Sequence, residues 1–117
     1  MLNSSECETT SGLFLRFAVG PGAVREWLRD LSQDDRRIVG EDIKDVEFAW
    51  PIGMPLCRSL GRGLWEVRCS LTQGGIARVL FCEHRGMMIL LHAFIKKTQK
   101  TPPADVGLAL KRMREIL

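Results

Sequence analysis

Three strand-like segments in the second half of the chain constrain its fold more than any other feature. Residues 63–71, 76–83 and 87–96 are rich in apolar side chains and are separated only by short turns at 73–75 and 84–86. Neighbouring parallel strands need a crossover of about a dozen or more residues, which these turns do not supply. The sequence therefore predicts an antiparallel meander.

Two helical patterns precede the meander. In the first, apolar residues recur three or four positions apart at Val24, Trp27, Leu28 and Leu31. In the second, similar spacing links Val39, Ile43, Val46 and Trp50. Such stripes are typical of amphipathic helices. Ser32 and Asp35 form a capping-box-like start for the second helix, Pro51 ends it, and we expect the two helices to form a hairpin packed on the sheet.

The two ends of the chain complete the predicted domain. Residues 13–18 are a short apolar run that predicts a first strand. Thr101-Pro102-Pro103 begins a predicted C-terminal helix, whose apolar stripe contains Val106, Leu110, Met113 and Leu117. A length of 117 residues fits one domain, 1–117. We expect the polar residues 1–12 to be a flexible N-terminal segment.

Charge is distributed unevenly along the chain. Residues 1–57 contain 6 basic and 10 acidic residues, a net charge of −4, whereas residues 58–117 contain 11 basic and 4 acidic residues, a net charge of +7. The second half is therefore expected to carry a surface that meets a polyanion. A solvated basic face without a partner is the alternative.

The sequence predicts neither a membrane protein nor a metal protein. It contains no apolar run of the roughly 18 residues that would span a bilayer and no signal-peptide pattern, so we expect a cytoplasmic protein. The cysteines lack C-x-x-C spacing and are interpreted as reduced thiols, at Cys7, Cys57, Cys69 and Cys82. No cofactor is expected. A zinc site can be drawn, but its spacing matches no standard pattern; it would use Cys69, Cys82, His84 and His92.

Alternation along the strands predicts which side chains share a face. On the first strand of the meander, the apolar set is Trp65, Val67, Cys69 and Leu71. On the last, alternation separates Ile89, Leu91, Ala93 and Ile95 from Met88, Leu90, His92, Phe94 and Lys96. If the apolar sets turn toward the helices, a cationic outer face remains, made of Glu66, Arg68, Arg78, His92, Phe94 and Lys96. The planar fork of arginine suits a phosphate group on such a face.

Each of these residues also has a structural interpretation. Glu66 and Arg68 suit an ion pair as well as a catalytic pair. His92 suits a hydrogen-bonded structural histidine, and Phe94 suits the core beneath the C-terminal helix. The remaining basic residues suit an ordinary solvated rim, at Lys97, Lys100, Lys111, Arg112 and Arg114.

Three short blocks carry a family resemblance. They are "GLWEVR" at 63–68, "ARVLF" at 77–81 and "LLHAFIKKTQKTP" at 90–102, the last being the most specific. With these blocks the chain resembles the HigB-like branch of the RelE/ParE toxin superfamily, including its phage-derived relatives, from about Leu13 to the end. The resemblance implies an α+β, RelE-like fold in which an N-terminal helical hairpin packs on one face of an antiparallel sheet, followed by a C-terminal helix.

The resemblance also implies an activity and its partners. Such toxins cleave messenger RNA on the ribosome and are neutralised by a cognate antitoxin, often a helix-turn-helix protein. On the matching blocks, Arg68, Arg78 and Lys96 or Lys97 are implied to be basic site positions, and His92 is the histidine of the "LLH" element.

The implied chemistry is metal-independent cleavage of RNA. The 2′-hydroxyl attacks the adjacent phosphorus, so the protein must move protons and stabilise the charge that develops on the phosphate oxygens. We expect Arg68 and Arg78 to stabilise charge, with Lys96 assisting, and His92 or Glu66 to transfer protons. Stacking on an aromatic ring is common in RNA recognition, and the RNA-binding candidates are Phe94, Arg62, Lys97 and Lys100.

One departure from the family pattern keeps a second hypothesis open. The chain contains no tyrosine, whereas related toxins often have one near the position of Phe81 or in the C-terminal part. A tyrosine-dependent mechanism is therefore excluded. The alternative is a non-catalytic or degenerate phage-derived module, or a ParE-like gyrase inhibitor on the same fold.

Overall fold

The computed structural model describes residues 22–50, 57–95 and 100–116, together with the backbone of 16–19 and 96. In chain order its elements are β1 (Arg16–Val19), α1 (Gly22–Asp30), α2 (Gln33–Ala49), β2 (Cys57–Gly61), β3 (Leu64–Ser70), β4 (Ile76–His84), β5 (Met87–Lys96) and α3 (Pro103–Ile116). No helix within these ranges is both long and apolar enough to cross a membrane.

The strands form one five-stranded sheet in the order β1-β5-β4-β3-β2. The pairs β2/β3, β3/β4 and β4/β5 are antiparallel, which confirms the predicted meander and the α+β class. β1 lies at one edge and runs parallel to β5. β2 forms the opposite edge and was not predicted, because its sequence "CRSLG" mixes polar and apolar residues and ends in glycine.

The helical hairpin covers one face of the sheet, as predicted. α1 and α2 bury Val24, Val39, Ile43 and Val46. Together with sheet residues they form the first core, whose buried strand members are Cys57, Val67, Cys69, Ala77, Val79, Phe81, Met88, Leu90 and Ala93. Trp50 joins it through edge-on contacts with the Trp65 and Phe81 rings, at centroid distances of 4.8 and 5.7 Å.

The start of α2 confirms half of the predicted capping box. Ser32 Oγ accepts a hydrogen bond from the amide of Asp35 at 3.1 Å, as a helix cap should. The Asp35 carboxylate accepts hydrogen bonds from the amide and the hydroxyl of Thr72, at 3.0 and 2.9 Å. These two bonds lower the pKa of Asp35. The carboxylate therefore ties α2 to the β3–β4 turn.

The C-terminal helix α3 covers the other face of the sheet. It contributes Ala109, Leu110 and Met113 to a second core, which also contains Leu64, Leu80, Cys82 and Leu91 and is flanked by Leu60, Ile89, Phe94 and Val106. The expected open outer face is thus wrong for this part of the sheet. The prediction failed because the strands of the meander place apolar residues on both faces of the sheet, so helices cover both faces.

A bulge in β5 changes the predicted alternation. Leu80 pairs with His92 and Phe81 pairs with Leu90, so Leu91 is an extra residue in the strand. As a result, Met88 and Leu90 belong to the first core, whereas Ile89 and Leu91 belong to the second. The prediction that Met88 and Leu90 share a face with His92 is therefore wrong, because strict alternation does not allow for an inserted residue.

Candidate functional site

Strand register brings the predicted charged residues together on the face that α3 partly covers. Arg68 lies directly opposite Arg78, which in turn lies opposite Phe94. Two residues earlier on β3, Glu66 lies opposite Leu80, which lies opposite His92. Two adjacent rows across β3, β4 and β5 thus contain two arginines, a carboxylate, an imidazole and a phenyl ring.

Glu66 and Arg78 form a buried pair bridged by a residue that precedes α3. Both side chains are fully buried, with 0% exposure. Arg78 Nη1 donates to Thr101 Oγ1 at 3.2 Å, and the Thr101 hydroxyl donates to Glu66 Oε2. The direct distance from Arg78 Nη1 to Glu66 Oε2 is 3.9 Å. Thr101 therefore closes this pair off from solvent.

The burial of Glu66 bears on whether this residue belongs to an ion pair or acts in catalysis. Its nearest charged partner is Arg78, not the Arg68 that the sequence suggested. Its second oxygen, Oε1, has no hydrogen-bond partner among the residues that the structure describes. A buried carboxylate with one oxygen unbonded is energetically costly, and in this conformation neither Glu66 nor Arg78 is within reach of a substrate.

His92 lies beside the buried pair and is held by two neighbours. Its Nε2 is 2.7 Å from Oδ1 of Asp105, a residue in the first turn of α3. Its ring stacks on Phe94 with centroids 5.4 Å apart and planes 28° from parallel. The His92 and Asp105 side chains are 15% and 22% exposed. The imidazole is thus oriented by the protein and is still accessible from solvent.

Two residues of the site, the partners of Glu66 and His92, were not predicted from the sequence. Thr101 and Asp105 contact the sheet across 35 and 13 residues of chain, and such contacts depend on how the helix docks. The available signal for Asp105 was its place in the first turn of a predicted helix, where acidic residues are favoured. That signal suggests a helix start and does not suggest a histidine partner.

The other predicted site residues lie around this face. Arg68 is half-buried, Phe94 is half-buried against the second core, and Lys100 is exposed. Arg62 is exposed at the tip of the β2–β3 hairpin, where its backbone has a φ of 59°. The side chain of Lys96 and the whole of Lys97 lie outside the described residues.

The described cysteines are core thiols, as predicted. Cys57, Cys69 and Cys82 are buried thiols, whereas Cys7 lies outside the described residues. Cys69 belongs to the first core and Cys82 to the second, so the sheet separates them and the drawn zinc site is wrong. Across the part of the chain that the structure describes, no three or more His, Cys, Asp or Glu residues cluster as metal ligands.

Comparison with known proteins gives one family. The sequence model described as "Phage derived protein Gp49-like (DUF891)" matches residues 26–114, from α1 to the end of α3. The match includes every described residue of the site. Curated proteins give no match.

Proposed function

Because the chain belongs to the Gp49-like family of phage-derived, RelE/HigB-type toxin-like proteins, we propose that it is the toxin of a type II toxin–antitoxin pair. Its activity is cleavage of mRNA on the ribosome, and its inhibitor is a cognate helix-turn-helix protein. The observation that carries the proposal is the position of Arg68 opposite Arg78, next to an oriented His92.

The facing arginines support an anionic substrate. Like charges directly opposite each other on neighbouring strands destabilise a sheet. Glu66 lies near Arg78. A phosphate group at half-buried Arg68 would accept charge-assisted hydrogen bonds from its planar guanidinium. Lys100 is exposed further along the chain, and Lys96 and Lys97 are candidates for RNA contact from the sequence alone.

His92 is the residue we assign to proton transfer. When Asp105 is ionised it accepts a hydrogen bond from Nε2–H, which leaves Nδ1 as the ring nitrogen that exchanges a proton with the RNA. The 2′-oxygen attacks the adjacent phosphorus, the bond from phosphorus to the 5′-oxygen breaks, and a cyclic phosphate forms. One proton leaves the 2′-hydroxyl and one is added to the departing 5′-oxygen.

The buried residues have a different part in this proposal. Arg78 adds positive potential beneath the phosphate, and Glu66 fixes the Arg78 guanidinium through Thr101. Both are positioning residues in the closed conformation, since neither is exposed. Phe94 holds the His92 ring by stacking and leaves little of its own surface for a base.

The proposal is tested by expressing the protein in a bacterium without its antitoxin and mapping the 5′ ends of transcripts. We expect new cuts within translated messages and arrested growth. Arg68→Ala should reduce cleavage about a hundredfold or more, as loss of a charge-stabilising donor does. The matched control is Arg85→Ala, which removes an exposed cation at the β4–β5 turn and should retain toxicity. Growth and transcripts that are unchanged by the wild-type protein would refute the proposal.

A second candidate function is supported by two observations. The chain has no tyrosine, and Glu66 and Arg78 are fully buried beneath Thr101. Both suit a module that binds protein without cleaving RNA. A DNA-damage response without new transcript ends would identify a gyrase inhibitor. Harmless expression with tight antitoxin binding would identify a degenerate module.

A further inference from the structure

A groove outside the catalytic assignment runs between α3 and the β2–β3 hairpin. Its volume is about 430 Å³, within the usual range for small-molecule sites. Leu60, Val106 and Leu110 provide apolar walls, Arg62 lies at the hairpin end, and Thr101 lines the wall next to the buried pair. The groove is therefore continuous with the candidate site through Thr101, which bonds to both Glu66 and Arg78.

Gly107 lines this groove without adding a side chain to it. It lies in the middle of α3, lines the groove and is exposed. A Cβ atom at this position would meet nothing within 4 Å, so the packing of the protein itself does not require glycine there. Glycine is the poorest helix former apart from proline, so this position of α3 holds a residue that does not favour the helix and that leaves open space beside the groove.

Arg62 places a positive charge at the end of the same groove, and it too stands at a position where the backbone would favour a different residue. Its φ of 59° is in the left-handed region that favours glycine. Its neighbours Gly61 and Gly63 also have positive φ, at 90° and 81°. The hairpin turn would accept glycine here with less strain, so the turn itself gives no reason for an arginine side chain.

We propose that this groove binds one unpaired nucleotide of the RNA, with its base between the walls formed by Leu60, Val106 and Leu110 and its phosphate at Arg62. The inference rests on the proposed function, since it assigns the groove to a nucleotide that neighbours the one at Arg68. The short apolar surface with a single cation at one end matches a base and its phosphate. Bases that are turned out of a stack are held between aromatic or apolar side chains in other nucleic-acid-binding proteins.

The test measures binding of a fluorescent single-stranded RNA hexanucleotide in which 2′-O-methyl groups prevent cleavage. Gly107→Met should fill the groove and weaken binding about tenfold or more, as loss of one stacked base does. Gly40→Met is its control, because Gly40 is likewise exposed in the middle of a helix with nothing within 4 Å of a Cβ, but on α2 across the sheet. Both variants should melt at or above the wild-type temperature, which excludes unfolding as the cause.

A second pair of variants tests the cation. Arg62→Gly removes the charge and relieves the left-handed backbone, so the protein should be at least as stable while RNA binding weakens. Arg85→Gly makes the same two changes at the β4–β5 turn, where φ is 55°, and should leave binding unchanged. Equal losses in the two arginine variants would mean that only net charge matters and would overturn the assignment.

The outcomes separate this inference from the proposed function. If the wild-type protein cleaves mRNA and Gly107→Met binds the hexanucleotide as well as wild type does, the groove assignment fails and the function stands. If no cleavage occurs but binding is lost selectively in Gly107→Met and Arg62→Gly, the groove stands and the cleavage proposal fails. Loss of antitoxin binding alone would make the groove a protein-binding surface. No binding by the wild-type protein would overturn the nucleotide assignment.

Discussion

At the scale of single residues, the orientation of His92 depends on a residue from another element. Asp105 bonds to Nε2 at 2.7 Å while Phe94 stacks against the ring. Packing and one hydrogen bond therefore fix the plane of the imidazole and direct its Nε2 atom toward a carboxylate. A histidine held in this way exchanges protons from a defined nitrogen, which general acid–base catalysis requires.

Asp105→Asn should disturb this arrangement without changing the shape of the side chain. We expect the neutral Nε2–H tautomer to dominate in the wild-type protein and to lose its dominance in the variant, as measured by ¹⁵N NMR of the imidazole. RNA cleavage should fall roughly tenfold, a part of what a general base contributes. Asp105→Glu should recover some of the Nε2–H signal. Identical imidazole spectra in wild type and Asp105→Asn would show that the contact does not set the tautomer.

Asp42 gives a prediction about pH. Burial raises the pKa of its carboxyl above the ordinary value of 3.8, even though the Cys69 thiol donates a hydrogen bond to it. The native state therefore holds a proton that the unfolded state releases, and stability falls as pH rises from about 4 through the raised pKa. Asp42→Asn should remove this fall and increase the free energy of unfolding at neutral pH. Urea titrations between pH 3.5 and 8 measure both effects, and the same dependence of stability on pH in the wild type and in Asp42→Asn would contradict the assignment.

The same contact predicts an unreactive thiol. Burial and the nearby Asp42 carboxylate raise the pKa of Cys69, so the thiolate that reacts with alkylating reagents is scarce in the native state.

Some residues of the candidate site could be predicted from the sequence and others could not. Arg68 and Arg78 were placed on one face by alternation alone, which needs no knowledge of tertiary contacts. Thr101 and Asp105 were missed because their roles exist only after α3 docks on the sheet. The burial of Arg78 was missed for the same reason.

At the scale of elements, the bulge in β5 is the feature that determines which residues enter which core. A bulged residue leaves a backbone group outside the regular ladder. Here the carbonyl oxygen of Leu91 accepts a hydrogen bond from Arg112 Nη1 at 2.8 Å. The arginine thus joins the middle of β5 to the last turns of α3. It was interpreted from sequence as part of a solvated rim, and that interpretation is wrong.

Arg112→Ala should destabilise the protein by about 1–2 kcal/mol, because a carbonyl beneath the helix loses a charged donor. The neighbouring Lys111→Ala is the control, since Lys111 is exposed and should change stability by no more than about 0.5 kcal/mol. Chemical denaturation measures both variants. Equal stability of the two would mean that Arg112 does not support the bulge.

Element positions were largely predictable, and the exceptions have local causes. β3, β4, β5 and the helices follow clear periodic patterns. β2 is five residues long with a register shift between Ser59 and Gly61, and so short a strand gives little periodic signal. The bulge at Leu91 lies inside the continuous apolar run "MMILL", where every residue suits either face, so composition cannot reveal the inserted position.

At the scale of the whole molecule, one sheet separates two cores, and each is closed by helices from a different end of the chain. α1 and α2 cover the first core, and α3 covers the second. The connection between α3 and the site is polar, through Thr101 and Asp105. Stability and site geometry are therefore coupled at the start of α3.

Thr101→Val tests this coupling. The two side chains have similar shapes, but valine lacks the hydroxyl, which accepts a hydrogen bond from Arg78 and donates one to Glu66. We expect a loss of roughly 1–3 kcal/mol in the free energy of unfolding, the usual penalty for a buried polar group that loses its partner. Thr101→Ser retains the hydroxyl and should recover most of that loss in the same urea titration. A valine variant as stable as wild type would show that the bridge contributes nothing.

The parallel pairing of β1 with β5 has a consequence for how the protein is made. β1 is translated near the beginning of the chain, and its partner is translated some seventy residues later. Pairings over such sequence distances form late and slowly. The residues that close the second core and orient His92 come later still, in α3. A nascent chain therefore cannot assemble this site until α3 has been synthesised.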